Sequence, residues 1–80
     1  MPTRRYIADL EWAQRRVDDG LRRVAEQRDR TAWMTTRGLD TAEAEQVYDH
    51  MLKVLDLMTR HRDEIAEALR DAGNGSERDR

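Results

Sequence analysis

Hydrophobic residues in the first half of the chain recur at alternating intervals of three and four residues. Side chains at these intervals lie along one side of an α-helix, so the pattern predicts a helix over about residues 3–37. Pro2 and Thr3 suit its start, because proline is tolerated in the first turn and threonine is a fair cap. The stripe consists of Ile7, Leu10, Gln14, Val17, Leu21, Val24, Arg28 and Thr31, flanked by Ala13, Gly20 and Gln27.

Gly20 lies in the middle of this segment. A glycine inside a helix costs about 1 kcal/mol relative to alanine, and Asp18-Asp19-Gly20 is also compatible with a turn that splits the segment in two. The three-four spacing keeps its phase from Val17 to Leu21, which favours one continuous helix. If the chain folds back about residue 39, Gly20 lies opposite the Met58 region and leaves room there for a large side chain.

The stretch around Gly38 has the chemistry of a short turn between two helices. A glycine just past a helix can adopt the left-handed conformation of a Schellman-type cap, which would fold Leu39 back onto the preceding helix. Asp40 or Thr41 can cap the next helix, and Glu43 would complete a capping box if Asp40 is the cap. A turn this short forces the two helices to be antiparallel neighbours.

The second hydrophobic segment predicts a helix over about residues 41–72, after a turn at residues 38–40. Gly73 is interpreted as its stop and residues 74–80 as a flexible tail. One apolar stripe consists of Ala44, Tyr48, Met51, Leu55, Met58, Arg62, Ile65, Leu69 and Ala72. A second stripe consists of Val47, Met51, Val54, Met58, His61, Ile65 and Ala68, and Leu52 and Leu57 widen the face further. A helix with one neighbour needs only a narrow stripe, so this breadth implies more than one neighbour.

These elements predict an all-α fold, an antiparallel two-helix hairpin over residues 1–73. Cores of this size supply only about 3–5 kcal/mol, so we expect two hairpins to dimerise into a four-helix bundle. The predicted dimer core consists of Leu10, Val17, Leu21, Val24, Met51, Leu55, Met58 and Ile65. A candidate contact surface for another protein consists of Trp33, Met34, Leu39, Leu52 and Leu57.

Composition and charge narrow the functional classes. Charged residues make up 40% of the chain and hydrophobic residues 38%, and there is no cysteine. Residues 1–38 carry nine arginines against six acids, net +3, whereas residues 39–73 carry four basic residues against nine acids, net −5. This asymmetry favours the pairing of unlike helices. No apolar run has the length of a signal peptide or a membrane span, which predicts a cytoplasmic protein without membrane association.

Four segments of the chain carry a resemblance to known sequences: Val17-Asp18-Asp19-Gly20, Arg23-Val24-Ala25-Glu26-Gln27-Arg28, Gly38-Leu39-Asp40-Thr41-Ala42-Glu43-Ala44 and His61-Arg62-Asp63. In these segments the chain resembles a group of short, uncharacterised bacterial helical-hairpin proteins with a Gly-x-Asp-Thr turn between two helices. The resemblance covers about residues 10–66 and implies that Gly20 lies inside a helix. It implies no functional residues, because the group has no named activity.

The sequence contains no catalytic or cofactor-binding motif, so we predict no enzymatic activity, no cofactor and no metal site. His50 and His61 are eleven residues apart, about 16 Å along a helix axis, so they cannot share one metal ion within a chain. No serine or threonine lies at a useful helical spacing from a histidine, and no glycine-rich phosphate loop is present.

The interpretation that fits these features is a non-catalytic protein–protein interaction module, a small adaptor or regulator that acts through its helix faces as a homodimer. The alternative is a four-helix bundle that binds nucleic acid, specifically RNA. In that alternative the first helices would present a strip of arginines consisting of Arg15, Arg16, Arg22 and Arg23. The acidic residues interspersed among these arginines count against it, because a charge-balanced face releases few counterions.

Overall fold

The structure is a long hairpin of two α-helices. This computed structural model describes the backbone of residues 2–78 and the side chains of residues 4–72. Helix α1 spans Pro2–Thr36 and helix α2 spans Ala42–Arg78, and the two pack against each other in antiparallel orientation. The Cα atoms fill a rod of 66 × 15 × 13 Å. The predicted all-α hairpin is therefore confirmed. Within the described residues, no helix combines the length and apolar character needed to cross a membrane.

The side of α1 that packs against α2 is rotated from the predicted stripe. The buried or partly buried positions on this side are Tyr6, Leu10, Ala13, Val17, Gly20, Val24, Gln27, Thr31 and Met34. Ala13 and Val17 are the most buried, with 2% and 3% of their surface exposed. Ile7 and Leu21 belong to the predicted stripe but lie outside this contact, 44% and 53% exposed. Near the middle of the helix the predicted stripe contains Gln14 and Leu21, whereas the hairpin closes on Ala13 and Gly20, whose small side chains allow a closer approach.

Gly20 lies inside α1, which continues through it without a break. A Cβ atom placed on Gly20 would lie 3.0 Å from Cδ1 of Leu55 and 3.6 Å from Sδ of Met58. The first distance is shorter than an ordinary van der Waals contact, so glycine is what lets these side chains reach the surface of α1. The prediction that Gly20 faces the Met58 region within a continuous helix is confirmed.

The first predicted stripe of α2 is the one that packs on α1. Its partly buried members are Ala44, Tyr48, Met51, Leu55, Met58, Arg62, Ile65 and Leu69. In the second stripe, Val54 and Ala68 are partly buried, whereas Val47 and His61 are exposed. One neighbouring helix thus covers only one side of the broad apolar face.

The turn between the helices has the hydrogen bonds of a Schellman motif. Gly38 has φ 72°, its N–H donates to the carbonyl of Thr35 at 3.0 Å, and the N–H of Leu39 donates to the carbonyl of Met34 at 3.0 Å. These bonds satisfy carbonyls that the end of α1 would otherwise leave unpaired. The chain thereby reverses direction in a few residues, as predicted from the position of Gly38.

The start of α2 uses both candidate capping residues. The Asp40 carboxylate accepts a hydrogen bond from the N–H of Ala42 at 3.0 Å. The carbonyl of Thr41 accepts the first helical bond, from the N–H of Glu45 at 2.8 Å. Thr41 therefore occupies the N-cap position and Asp40 precedes it. The capping box expected from Glu43 required Asp40 to be the N-cap, so the observed geometry does not provide it.

The end of α2 differs from the predicted boundary. The helix runs through Gly73 to Arg78, whereas the sequence pattern places its end at Ala72. A glycine ends a helix only if its backbone takes the left-handed conformation, and it otherwise continues the helix at a cost of about 1 kcal/mol. The flexibility predicted for residues 74–80 stays a prediction, and residues 79–80 lie outside the described part of the chain.

Two side-chain hydrogen bonds connect the helices and fix their register. Near the turn, Nε2 of Gln27 donates to the carbonyl oxygen of Ala44 at 3.1 Å. Towards the open end of the hairpin, Nη1 of Arg62 donates to Oε1 of Gln14 at 3.3 Å. Both bonds are partly buried, so they hold the same antiparallel alignment at two separate levels.

Candidate interaction surfaces

The described side chains bury little and expose much. Ala13 and Val17 are the only buried hydrophobic residues among residues 4–72. Large hydrophobic side chains are left exposed at Ile7, Trp12, Leu21, Trp33, Leu39, Val47, Leu52 and Leu57. Scattered single exposures are normal in a soluble protein, but contiguous apolar patches mark contact surfaces. Whether these residues form contiguous patches depends on which side of the hairpin each of them faces.

One long side of the hairpin, here named the arginine face, is lined by Trp12, Arg16, Arg23, Val54, Leu57 and His61. An open groove of about 420 Å³ lies between Trp12 and Arg16 on α1 and Val54, Leu57 and His61 on α2. Its neighbour, of about 230 Å³, continues along the same side past Gly20 and Arg23 to His50. The floor of the groove is apolar and its α1 wall is basic. Leu57 is the most exposed large hydrophobic residue described, at 64%.

The guanidinium of Arg16 lies over the indole ring of Trp12, 4.8 Å from the ring centroid. This cation–π contact holds both side chains over the outer edge of the groove, and at exposed sites it is worth about 0.5–1 kcal/mol. The sequence analysis did not identify this pair. The signal was present in the four-residue spacing of Trp12 and Arg16, which brings side chains together on a helix.

The opposite side of the hairpin, here named the leucine face, consists of Ile7, Gln14, Leu21, Leu52 and Ala66. A groove of about 580 Å³ lies on this side, and it is lined by Leu10, Glu11, Gln14 and Arg15 of α1 and by Arg62, Asp63 and Ala66 of α2. Residues seven apart on a helix lie almost in line, so Ile7 and Leu21 share the side of Gln14. Leu52 shares the side of Ala66 in the same way. On this face both helices contribute apolar residues beside the intrahairpin contact.

The turn end of the hairpin carries a second aromatic–arginine pair. The guanidinium of Arg37 lies over the Trp33 ring, 4.4 Å from its centroid, with the same four-residue spacing as on the arginine face. Trp33 and Leu39 are exposed and Met34 is partly buried. Of the predicted partner-contact residues, Trp33 and Leu39 thus lie together at the turn. Leu57 lies on the arginine face and Leu52 on the leucine face, so the five residues form no single patch.

Most of the residues predicted for a dimer core instead pack α1 against α2 within a single hairpin. Leu10, Val17, Val24, Met51, Leu55, Met58 and Ile65 lie on the two sides that pack together, and all are buried or partly buried. Leu21 does not: it projects from the leucine face. The periodicity identified the core line of each helix but could not distinguish contacts within a hairpin from contacts between hairpins.

The arginines of the nucleic-acid alternative do not form one strip. Arg16 and Arg23 line the arginine face, whereas Arg15 lines the groove of the leucine face. Arg22 is engaged with Asp19, its Nη2 lying 2.7 Å from the carboxylate oxygen. Adjacent arginines on a helix point about 100° apart, so a doublet in the sequence divides between two sides. This division weakens the case for a continuous phosphate-binding surface.

His50 and His61 are exposed and border different parts of the arginine face. Within the described residues, no group of three or more histidine, cysteine or acidic side chains is placed to hold a metal ion. Both grooves are open along the rod, and the arginine-face groove has a mainly apolar lining, whereas charged and polar side chains also line the leucine-face groove. Geometry of this kind suits contact with another apolar surface.

No known protein family, curated protein or solved structure matches this chain.

Proposed function

We propose that this chain is a non-catalytic protein–protein interaction module, a small cytoplasmic adaptor or regulator that acts through its helix faces as a homodimer. The observation that carries the proposal is the imbalance between a core of Ala13 and Val17 and the large exposed side chains on both sides of the rod. Burying one such side chain fully stabilises a protein by about 1.5–3 kcal/mol. Association is the means by which this hairpin gains that stabilisation.

The predicted stability of a lone hairpin supports the same conclusion. A core of this size rarely supplies more than about 3–5 kcal/mol, and helix packing alone exceeds that only with many buried Leu or Ile residues. Here the packing of α1 against α2 leaves Leu10, Leu55 and Ile65 only partly buried. A second hairpin would complete their burial and would turn two layers into a four-helix bundle. The turn end, with Trp33 and Leu39, stays available for a further protein partner.

The test combines mass and thermal stability. Light scattering at micromolar concentration is expected to give twice the 9.5 kDa mass of the chain. The melting temperature should rise with protein concentration, because mass action stabilises a folded dimer. A 9.5 kDa particle whose helicity and melting temperature do not depend on concentration would contradict the proposal.

A further inference from the structure

The two sides of the hairpin differ in what a second copy would have to cover. The charged residues that line the two arginine-face grooves, besides histidines, are Arg16 and Arg23, which are both basic. The leucine-face groove is lined by two acids and two arginines, Glu11, Arg15, Arg62 and Asp63. Pairing two arginine faces would bring like charges together and remove them from water, whereas two leucine faces can pair acids with arginines. Either pairing buries exposed large residues, Trp12 and Leu57 on the arginine face or Ile7, Leu21 and Leu52 on the leucine face, so charge decides between the faces. The leucine face is therefore the one suited to another hairpin.

The size of this face meets the requirement of a stable dimer. A rod with Cα dimensions of 66 × 15 Å projects on the order of 1,000 Å², against roughly 800 Å² per partner in a standard interface. A hairpin that used the whole length of its leucine face would therefore reach this size without any additional element.

Two symmetric arrangements of a four-helix bundle are available. A twofold axis across the rod places α1 beside α1 and α2 beside α2, with the turns at opposite ends. A twofold axis along the rod places each α1 beside the α2 of the other copy, with both turns at the same end. Each arrangement buries the leucine faces. They differ in which charges become neighbours.

Charge distinguishes the two arrangements. The α1 segment, residues 1–38, has net charge +3, and the α2 segment, residues 39–73, has −5. Neighbouring helices pack about 8–10 Å apart, close to one Debye length at physiological salt, so charges on neighbours still interact. Helices on the diagonal are farther apart and are largely screened. The lengthwise axis gives every helix two neighbours of opposite sign, whereas the crosswise axis gives each helix one neighbour of like sign.

The charges at the edge of the leucine face agree with this choice. Asp49, Asp56 and Asp63 follow each other at seven-residue intervals on α2, and Asp63 lines the leucine-face groove. Lys53 and Arg60 lie among them, yet a crosswise dimer would bring this acidic row against its own copy. The row of α1 at the same interval is Arg4, Glu11, Asp18 and Ala25, which contains two acids and one arginine and is therefore less acidic than the α2 row.

We propose that a second copy of this chain docks on the leucine face with both turns at the same end, so that α1 of each copy lies against α2 of the other. This inference rests on the homodimer of the proposed function. It places the two Trp33–Leu39 turns together at one end of the bundle. It also leaves both arginine faces, with their Trp12–Leu57 grooves, on the outside for other partners.

The orientation is tested by distances between spin labels. The chain has no cysteine, so a single one can be introduced at exposed Glu43 near the turn, and another variant can carry it at exposed Lys53, eleven residues further into α2 than its first residue. Turns at the same end give a Glu43→Cys distance of about 20–35 Å, the width of a bundle. Turns at opposite ends separate these labels by about 45 Å or more, the length of a 30-residue helix. Lys53→Cys gives a short distance in either arrangement and so reports that the hairpins are aligned.

The face is tested by a matched pair of substitutions. Leu21→Glu lies on the leucine face and Leu57→Glu on the arginine face, and both side chains are more than half exposed in the hairpin. Leu21→Glu is expected to raise the dimer dissociation constant at least tenfold, and Leu57→Glu to leave it within about threefold, because only the first places a charge in the interface. Sedimentation equilibrium measures both constants whether or not the dissociated chain stays helical.

Each outcome distinguishes the two proposals. A dimer with a short Glu43→Cys distance that Leu21→Glu alone dissociates supports the inference. A dimer with a long Glu43→Cys distance and a short Lys53→Cys distance overturns the orientation while leaving the homodimer intact. A dimer dissociated by Leu57→Glu and not by Leu21→Glu overturns the choice of face. A wild-type chain of 9.5 kDa overturns the proposed function itself.

Discussion

The two adjacent stripes of α1 differ in the size of their apolar side chains and in whether those side chains are buried. The inward stripe includes Ala13 and Gly20, which are small and face α2. The outward stripe, one residue further along, includes Ile7 and Leu21, which are large and remain exposed. The difference indicates that close approach of the two helices and an apolar outer surface are separate properties of this helix.

The spacing between the helices follows from the small residues. At Gly20 the side chains of Leu55 and Met58 reach the α1 backbone, and at Ala13 the exposed fraction falls to 2%. A leucine at either position would push the axes apart and uncover the residues above and below. The inward stripe therefore sets the geometry of the hairpin, while Ile7 and Leu21 of the outward stripe stay exposed. The predictions below test that separation.

The largest loss of stability is expected for a substitution at Gly20, where the two helices come close together. In Gly20→Leu the new side chain must displace Leu55 and Met58, since even a Cβ atom would lie 3.0 Å from Leu55. Overpacking typically costs 1–3 kcal/mol, which lowers the melting temperature of a domain this small by on the order of 10 °C. Thermal denaturation followed by circular dichroism measures the change.

Ala8→Leu is the matched control for that substitution, because Ala8 is exposed on the same helix. It should change the free energy of unfolding by less than about 0.5 kcal/mol, as surface substitutions usually do. If Gly20→Leu melted at the wild-type temperature, the inward stripe would not determine the helix spacing, and the comparison of the two stripes would fail.

A smaller loss of stability is expected for substitutions at Gly38, in the turn that joins the two helices. In Gly38→Ala a Cβ atom is forced into the left-handed region at φ 72°, which costs about 1–2 kcal/mol for an L-residue. Gly38→Asn should lose less, because asparagine tolerates this conformation. Chemical denaturation of the three proteins gives the ranking glycine, asparagine, alanine. Equal stability of all three would mean that the Schellman turn does not hold the hairpin closed.

Neighbouring residues on the two stripes provide a more direct comparison. Gln27→Ala removes the partly buried hydrogen bond to the carbonyl of Ala44 and should cost about 0.5–1.5 kcal/mol. Arg28→Ala changes the exposed neighbour, whose carboxylate contact with Asp29 is 3.7 Å long, and should cost less than about 0.5 kcal/mol. Urea denaturation of the two variants separates them. A larger loss for Arg28→Ala would mean that the outward position is already packed against something.

The smallest effect is expected for a surface ion pair. Arg22 and Asp19 approach to 2.7 Å, but their side chains are 66% and 53% exposed. Arg22→Gln should therefore reduce the free energy of unfolding by no more than about 0.2–1 kcal/mol, and the loss should shrink as salt is added. A loss above 2 kcal/mol that persists at high salt would place Arg22 in a buried contact instead.

The turn and the lines of core residues could be predicted from the sequence because they depend on local chemistry. Gly38 was identified from its position between two helical patterns, and the left-handed φ follows from the absence of a Cβ atom. The inward line of α2, including Met51, Leu55 and Met58, was likewise correct, because periodicity reports which residues share a side. Continuity through Gly20 followed from the same periodicity.

The rotation of α1 and the division of the surface into two faces could not be predicted in that way. Leu10, Val17 and Val24 belong equally to a stripe completed by Leu21 and to one completed by Gly20. Hydrophobicity favours the leucine, whereas close packing favours the glycine, and only the position of Leu55 on the other helix decides between them. The 100° step of a helix separates Arg15 from Arg16, but which face each of them lines depends on this rotation of α1.

By itself, the sequence determined that this protein is two long helices joined by a glycine turn, because helical periodicity and capping act within a few residues of the chain. The tertiary structure decided which side of α1 packs against α2 and which side stays exposed. That decision depends on the distance between two helix axes, which is set by pairs of residues far apart in the chain, such as Gly20 and Leu55.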